Sequence, residues 1–291
     1  MPILKNKIAV ITGSSRGLGL AIAQAYAREG ASIVISSRSP KSVQNVVDVL
    51  RSEGLRASGI SCDVSNFDEV KALREHALQA FGKMDIWVNN AALSPPYGPT
   101  AHINPEDFTR VLNTNIIGTY YGSWIAMEYF VPRQEGKLIN ILGVGARRPQ
   151  PLQNAYASSK AWLVSFTKAL AEEYKDSNVG IYALSPGMMD TDMLRKVEAI
   201  EGYEEQVKRL EMIMPILAQP PEVPARKAVW LASPETDGKT GLVLHEFTRL
   251  KTMGLFLRSG INRLLGRGTQ KTEVQVTSVP GKLPPITKEK S

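Results

Sequence analysis

Two periods alternate along the first ninety residues. Short apolar runs at Ile8 to Ile11, Ser32 to Ser36, Ala57 to Cys62 and Ile86 to Val88 are separated by Leu18 to Arg28, Ser42 to Glu53 and Asp68 to Phe81, where apolar residues recur at helical spacing. Short apolar runs between turn signals read as buried strands, and three-to-four spacing reads as amphipathic helix. Repeated strand and helix units with short connections predict an α/β fold, a doubly wound parallel sheet of Rossmann type with helices on both faces. Such sheets bind ligands at the carboxyl ends of their strands. The turns after the apolar runs are therefore where the chemistry is expected.

The first such turn reads Thr12-Gly13-Ser14-Ser15-Arg16-Gly17-Leu18-Gly19. Its glycines remove the Cβ atoms that would hold a pyrophosphate off the backbone, and the helix beginning near Gly17 offers free N–H groups and a positive dipole end. The glycine spacing, three residues and then one, differs from G-x-G-x-x-G, but its place between strand and helix points to a dinucleotide. After the second run stands Ser36-Ser37-Arg38, with no acid to hold a ribose hydroxyl, so Arg38 and Arg16 are expected to clamp a 2'-phosphate and select NADP. Asp63-Val64 falls where a site would face adenine, and Asn89-Asn90-Ala91-Ala92 offers short side chains beside which a cofactor can pass.

Farther on comes Asn154-Ala155-Tyr156-Ala157-Ser158-Ser159-Lys160. On a helix Tyr156 and Lys160 project from one face, and a neighbouring ammonium favours phenolate. Bringing a phenol from a pKa of about 10 to neutrality takes roughly 4 kcal/mol, a demand one near charge and a cofactor's charge can meet. A tuned tyrosine is a general acid.

Together these motifs resemble the short-chain dehydrogenase/reductase family: Thr12-Gly13-x-x-x-Gly17-x-Gly19, Asp63-Val64, Asn89-Asn90-Ala91, Asn115 in Asn-Ile-Ile-Gly118, Tyr156-x-x-x-Lys160, and Pro186-Gly187 followed by Thr191. The resemblance runs from about Lys7 to His245. It implies NADP(H)-dependent hydride transfer between nicotinamide and a carbonyl or alcohol, with Tyr156 as proton donor or acceptor. Lys160 would bind the nicotinamide ribose and lower the Tyr156 pKa, Asn115 would hold a relay water, and Thr191 would hold the nicotinamide amide. The cofactor set it implies is Gly13, Ser15, Arg16, Gly17, Leu18, Gly19, Ser37, Arg38, Asp63, Val64, Asn90, Ala91, Tyr156, Lys160, Pro186, Gly187 and Thr191. Family members usually carry a serine thirteen residues before the tyrosine, and here that position is Gly143. Losing one such donor typically costs about 10² to 10³ in rate. Gln150 and Gln153 are the nearest amides able to substitute, and Gly143 is expected to leave room for a water or a bulkier substrate. An enzyme acting on a bulky apolar molecule and an NADP-binding regulatory or scaffold protein with little turnover both remain open.

Composition narrows the setting. The 291 residues, 43% apolar and 22% charged, suit one domain over 1–245 with an appendage. Lacking an 18-residue apolar run or signal-peptide pattern, the chain is expected to be cytoplasmic. Cys62 is the only cysteine, and the three histidines lack acidic or cysteine neighbours at metal spacing, so neither a disulfide nor a metal site is expected. The net charge of +7 is concentrated beyond His245, which removes the case for nucleic acid as a partner. The resemblance implies that residues 188 to about 220 form a lid over the substrate, and their methionines, which adapt to irregular apolar ligands, suggest a bulky apolar small-molecule substrate. Trp124 and the helix carrying Trp162 and Phe166 are expected to serve core or dimer packing, and the resemblance implies pairing through these two helices into a homodimer or homotetramer. Over 246–267, Leu250, Met253, Leu257, Ile261 and Leu264 recur at helical spacing among basic residues. That basic amphipathic helix would lie peripherally on an anionic membrane, dock on its own body or exchange between subunits. From 268 to 291 an extended or disordered tail is expected.

Overall fold

The computed structural model describes residues 2–247, 253–255, 257, 259 and 273–284. Strands β1 (Ile8–Ile11), β2 (Ser32–Ser37), β3 (Ala57–Ser61), β4 (Ile86–Asn89), β5 (Lys137–Ile141), β6 (Gly180–Ser185) and β8 (Val243–His245) form one sheet in the order β3-β2-β1-β4-β5-β6-β8. Every neighbouring pair is parallel. Reversal of strand order beside β1 places a switch point between β1 and β4, the crevice in which doubly wound sheets bind ligands.

The alternating side chains of these strands feed two separate cores. On one face Ile11, Ile33, Ile35, Ile86 and Ile139 pack beneath helices α1 (Gly17–Arg28), α2 (Pro40–Ser52) and α9 (Glu222–Ala232). On the other face Val10, Val34, Trp87, Leu138 and Ile181 lie beneath α3 (Phe67–Phe81), α5 (Gly118–Phe130) and α6 (Asn154–Glu173). Both faces are buried, which explains runs of apolar residues rather than strict alternation. Ser39 caps α2 through its side chain, and Asn66 caps α3, accepting from the N–H groups of Asp68 and Glu69.

A buried polar network holds α5 and α6 in place. Asn89 donates through Nδ2 to Ser123 Oγ at 3.0 Å and Asn140 Oδ1 at 2.9 Å, and its Oδ1 accepts from Trp87 Nε1 at 2.8 Å. Asn140 Nδ2 continues to Thr167 Oγ1 at 3.0 Å. A buried amide left unpaired costs about 1 to 3 kcal/mol, so these contacts fix one arrangement of both helices. Asn89 was expected only to be small beside a cofactor; it is instead a bracket between β4, α5, β5 and α6.

Beyond β6 the chain builds a second layer. Short helix α7 (Asp192–Arg195), strand β7 (Lys196–Ile200) and α8 (Glu204–Leu217) occupy the stretch expected as a lid. Within the expected tail, Gln275–Val279 forms β9 and pairs in parallel with β7 from Lys196↔Gln275 to Ile200↔Val279. Ser278 donates to Glu204, the Val274 N–H donates to Glu211 at 3.2 Å, and the Lys282 N–H donates to the His102 carbonyl at 3.0 Å. Residues Leu250, Ile261 and Leu264, on which the amphipathic helix over 246–267 rests, lie outside the described residues. Among the described residues no helix is long and apolar enough to cross a membrane, and no group of three or more His, Cys, Asp or Glu is placed to hold a metal.

Candidate active site

The glycine turn between β1 and α1 is tightly built. A Cβ at Gly19 would stand 2.5 Å from both Asn90 Nδ2 and the Gly13 carbonyl, and one at Gly13 would stand 2.9 Å from Ala91 Cα. Gly13 and Gly17 have φ of 63° and 57°, the left-handed region that suits glycine. Thr12 Oγ1 accepts from the N–H groups of Asn90 and Ala91, and Asn90 Nδ2 donates back to the Thr12 and Gly13 carbonyls. Asn90 and Ala91 thus hold the turn in shape. Ser14 turns inward to the Ile11 carbonyl, while Arg16 points outward and the first turn of α1 contains no acid. That end of α1 therefore fits the pyrophosphate of a dinucleotide.

Beside it lies a cleft of about 390 Å³, lined by Arg38 and Asp63 from the ends of β2 and β3 and by Glu106, Arg110, Asn113 and Thr114. Asp63 Oδ1 accepts from the Ser65 N–H and hydroxyl, and Val64 packs against Gly118. Helix α4 (Pro105–Leu112) supplies Glu106 and Arg110, neither singled out from the sequence, because nothing local in α4 marks it as facing β2. Arg110 is paired with Asp107 at 2.7 Å. Arg16 is not among the residues of this cleft.

Between α4 and α5 the chain makes one wider π turn, Asn113–Ile117, with Asn115 at its centre. Such turns aim a side chain out of helical register. Asn115 Oδ1 accepts from the Leu93 N–H at 2.8 Å, and Nδ2 donates to the Leu93 carbonyl at 2.9 Å and to Ser159 Oγ at 3.1 Å. Ser159 in turn donates to the Tyr156 carbonyl at 2.6 Å. The Asn115 side chain is fully occupied in tying the loop after β4 to the helix that carries the tyrosine.

On α6, Tyr156 and Lys160 share a face as expected, with Lys160 Nζ 5.6 Å from the centre of the Tyr156 ring. Lys160 is 3% exposed and donates to the Ile141 carbonyl at 3.0 Å. Burial pushes its pKa down to about 8 and pushes that of Tyr156 up, Tyr97 adding to the latter. The lowering of the Tyr156 pKa expected from Lys160 is not seen in the protein's own residues: desolvation outweighs an ammonium held by a carbonyl. The phenol is protonated at neutral pH.

The Lys160 shift has a consequence for stability. Its folded pKa, about 8, lies below the ordinary 10.5, so between those values the unfolded chain binds more protons and stability rises with pH. Thermal unfolding of the cofactor-free protein should show wild type gaining on Lys160→Met from pH 8 to 10. A constant difference across that window contradicts the assignment.

Two substrate-side expectations are corrected. A Cβ built on Gly143 would stand 2.3 Å from Tyr156 Oη and 3.0 Å from its Cζ, so the room expected there is filled by the phenol itself. Gln153, 3% exposed, accepts from Ser94 Oγ at 2.6 Å and donates to the Pro95 carbonyl at 3.2 Å, so its amide is engaged by the loop after β4. Gln150 is exposed in the β5–α6 loop. Gly187 carries φ of 76° beneath the Phe247 ring, and Thr191 Cγ2 would stand 3.7 Å from a Cβ on Gly17, which brings the start of the stretch expected as a lid beside the glycine turn.

The chain matches the family described as short chain dehydrogenase over residues 7–202. It is 35% identical over 243 residues to 3beta-hydroxysteroid dehydrogenase 1 of Eggerthella lenta, covering 83% of this chain and 92% of that one. To glucose 1-dehydrogenase 2 of Bacillus subtilis it is 30% identical over 243 residues, covering 83% and 93%. The structure of 3-ketoacyl-(acyl-carrier-protein) reductase from Brucella melitensis, complexed with NADH, superposes with a TM-score of 0.74 at 30% identity, covering 84% of this chain and 97% of that one. Fold and relatives define an oxidoreductase of Rossmann type that uses a nicotinamide cofactor. The chain belongs to the short-chain dehydrogenase/reductase family.

Proposed function

We propose that this protein is a cytoplasmic NADP(H)-dependent reductase that converts a carbonyl on a bulky apolar molecule to an alcohol, with Tyr156 as the acid. The observation that carries this reading is the Tyr156 phenol on one helix face with buried Lys160, whose Nζ lies 5.6 Å from the ring and bonds the Ile141 carbonyl at the carboxyl end of β5. When bound, the cofactor supplies the hydride that turns a carbonyl oxygen into an alkoxide, which needs a proton delivered in place. Tyr156 holds that proton, Lys160 positions the ribose side of the site, and Asn115 and Ser159 keep the helix in register with the loop after β4. The lid presents Met193 and Met212, 45% and 63% exposed, side chains that adapt to irregular apolar surfaces. Outside the site, Tyr120 and Trp124 of α5 are more than 40% exposed, near Trp162 stacked on Phe166 at 4.6 Å. That face supports assembly into a homodimer or homotetramer.

A carbonyl panel followed by NADPH absorbance tests the activity. Absence of turnover on every carbonyl, with NADPH still bound, would instead fit a cofactor-binding regulatory protein. Cofactor choice is tested separately by titration: NADPH should bind far more tightly than NADH. Arg38→Ala should lose about 10- to 100-fold in NADPH affinity and little in NADH affinity, since hydrogen bonds to a charged group contribute about 1.5 to 3 kcal/mol. Equal affinities in the wild type would overturn the NADP assignment.

A further inference from the structure

The stretch 188–219 leaves the body and rejoins it at one place. Met189 and Gln219 are bridged, the Gln219 N–H donates to the Met188 carbonyl at 3.1 Å, and the Asp190 N–H donates to the Gln219 carbonyl at 3.0 Å. Gln219 Nε2 adds a bond to the Pro186 carbonyl at 3.1 Å. A segment pinched at its base can swing as a unit about that base. Its far end, β7 and the turn to Tyr203, is fastened by two other parts of the chain.

One is the loop after β4. The Tyr97 N–H donates to the Glu198 carbonyl and the Ile200 N–H donates to the Tyr97 carbonyl, both at 2.8 Å. The other is the C-terminal segment. There β9 pairs with β7, the Glu201 N–H donates to the Val279 carbonyl at 3.0 Å, and the Lys282 N–H reaches across to the His102 carbonyl. Ile200 lies where the three meet. A Cβ on Gly98 would stand 2.5 Å from Ile200 Cγ1, and a Cβ on Gly281 would stand 2.8 Å from Ile200 Cγ2. Neither glycine has a positive φ, so what each contributes is the missing Cβ, and Ile200 is gripped from both sides. Around it Ile103, Tyr203, Leu152 and Val279 form a cluster separate from the two main cores. Leu152 stands four residues before Tyr156, and its carbonyl accepts from the Gly98 N–H at 3.0 Å, so the seam borders the approach to the helix that carries the phenol.

The same seam holds a polar atom that closure leaves unpaired. His102 is buried, its ring stands edge-on to Tyr203 at 5.6 Å, and its Nδ1 has no hydrogen-bond partner among the described residues. A buried polar group without a partner opposes the closed arrangement, and parting the seam returns it to water. The apolar grip and the orphaned nitrogen act in opposite directions, the balance expected of a contact that opens and closes.

We propose that this seam is the gate for substrate: Ile200, held between Gly98 and Gly281, is its catch, and the C-terminal segment keeps it shut. Shut, it holds the methionine-bearing stretch against the loop after β4 and completes the apolar wall of the site. Open, it admits and discharges a bulky molecule.

The inference rests on the reductase reading for what passes the gate, and its test separates the two. In the full chain, Gly281→Val drives a wedge against Ile200, and Ile200→Ala removes the catch itself. Amides of Lys196–Ile200 should exchange with deuterium at least about tenfold faster in both variants, while those of β1 and β4 and the NADPH affinity stay unchanged. With NADPH, kcat/KM for trans-2-decalone should fall about 10- to 100-fold, mostly through KM, and that for the smaller cyclohexanone by less than about threefold. Thr277→Ala, on the exposed face of β9, should match wild type in every measurement. If both seam variants keep wild-type exchange in β7, or exchange faster with unchanged kinetics on trans-2-decalone, the gate is wrong and the reductase reading stands. A variant that also loses NADPH affinity has disturbed the sheet, which contradicts a seam that opens on its own. If the wild type reduces no ketone in the panel, the reductase reading fails and the substrate gate falls with it.

Discussion

Tyr156→Phe is expected to lower reduction of any carbonyl substrate by about 10² to 10⁴ while leaving NADPH binding intact, the range that one positioned acid contributes. The ring remains, so the packing above Gly143 and beside Lys160 is preserved. Only the proton is lost. Because burial raises the phenol's pKa, the wild-type acid stays protonated through neutral and mildly alkaline pH. Turnover measured with and without the hydroxyl therefore reports proton delivery directly. Activity indifferent to the change would refute the assigned mechanism.

The second large effect is expected at Gly143. A serine there would place its Cβ 2.3 Å from Tyr156 Oη, a separation no packed pair of atoms tolerates, so the phenol must swing away. From the sequence, Gly143 marks either a lost hydroxyl that a serine would restore or room for a bulkier substrate that a serine would block. The geometry favours a third, in which the serine displaces the acid. Overfilling a fitted site costs on the order of 1 to 3 kcal/mol. If that cost falls on the reactive position of Tyr156, kcat should drop by about 10- to 100-fold on bulky and small ketones alike. A serine variant that gains on every substrate would show that the phenol relocates easily and that the natural glycine is a defect.

Much of the fold was legible because the information is local. Apolar runs of two-faced strands, the glycine turn and the four-residue step from Tyr156 to Lys160 each fall within a short window, and the parallel sheet follows from their order. The lid strand escaped notice although Lys196-Val197-Glu198-Ala199-Ile200 has period two, with Val197, Ala199 and Ile200 buried. Its helix-forming composition concealed the pattern, and its partner β9 is remote in sequence. The roles of Asn89 and Gln153 were missed for a related reason. Their partners, Ser123, Asn140, Ser94 and Pro95, are brought to them only by the completed fold. What fills the space over Gly143 depends on where the Tyr156 ring comes to rest, which spacing does not record.

The pairing of β7 with β9 also bears on the order in which the molecule assembles and opens. The main sheet joins nearby segments, Ile8 with Ser32 for instance, whereas Lys196 meets Gln275 only after a long loop has closed. Each doubling of such a loop adds about 0.6 kcal/mol of entropic cost, and pairings of high sequence separation form late. Among the described residues the layer built from β7, α8 and β9 is held by the β7–β9 ladder, by backbone bonds of Tyr97 to Glu198 and Ile200, and by small clusters around Val197, Val207 and Met214 and around Ile103, Ile200 and Tyr203, not by the two cores that grip the sheet. It should behave as a cooperative unit of its own, opening at a free energy below that of global unfolding. On the proposed function, a bulky substrate would enter and leave by local melting of that unit, while the glycine turn, rooted in the first core, keeps hold of its dinucleotide.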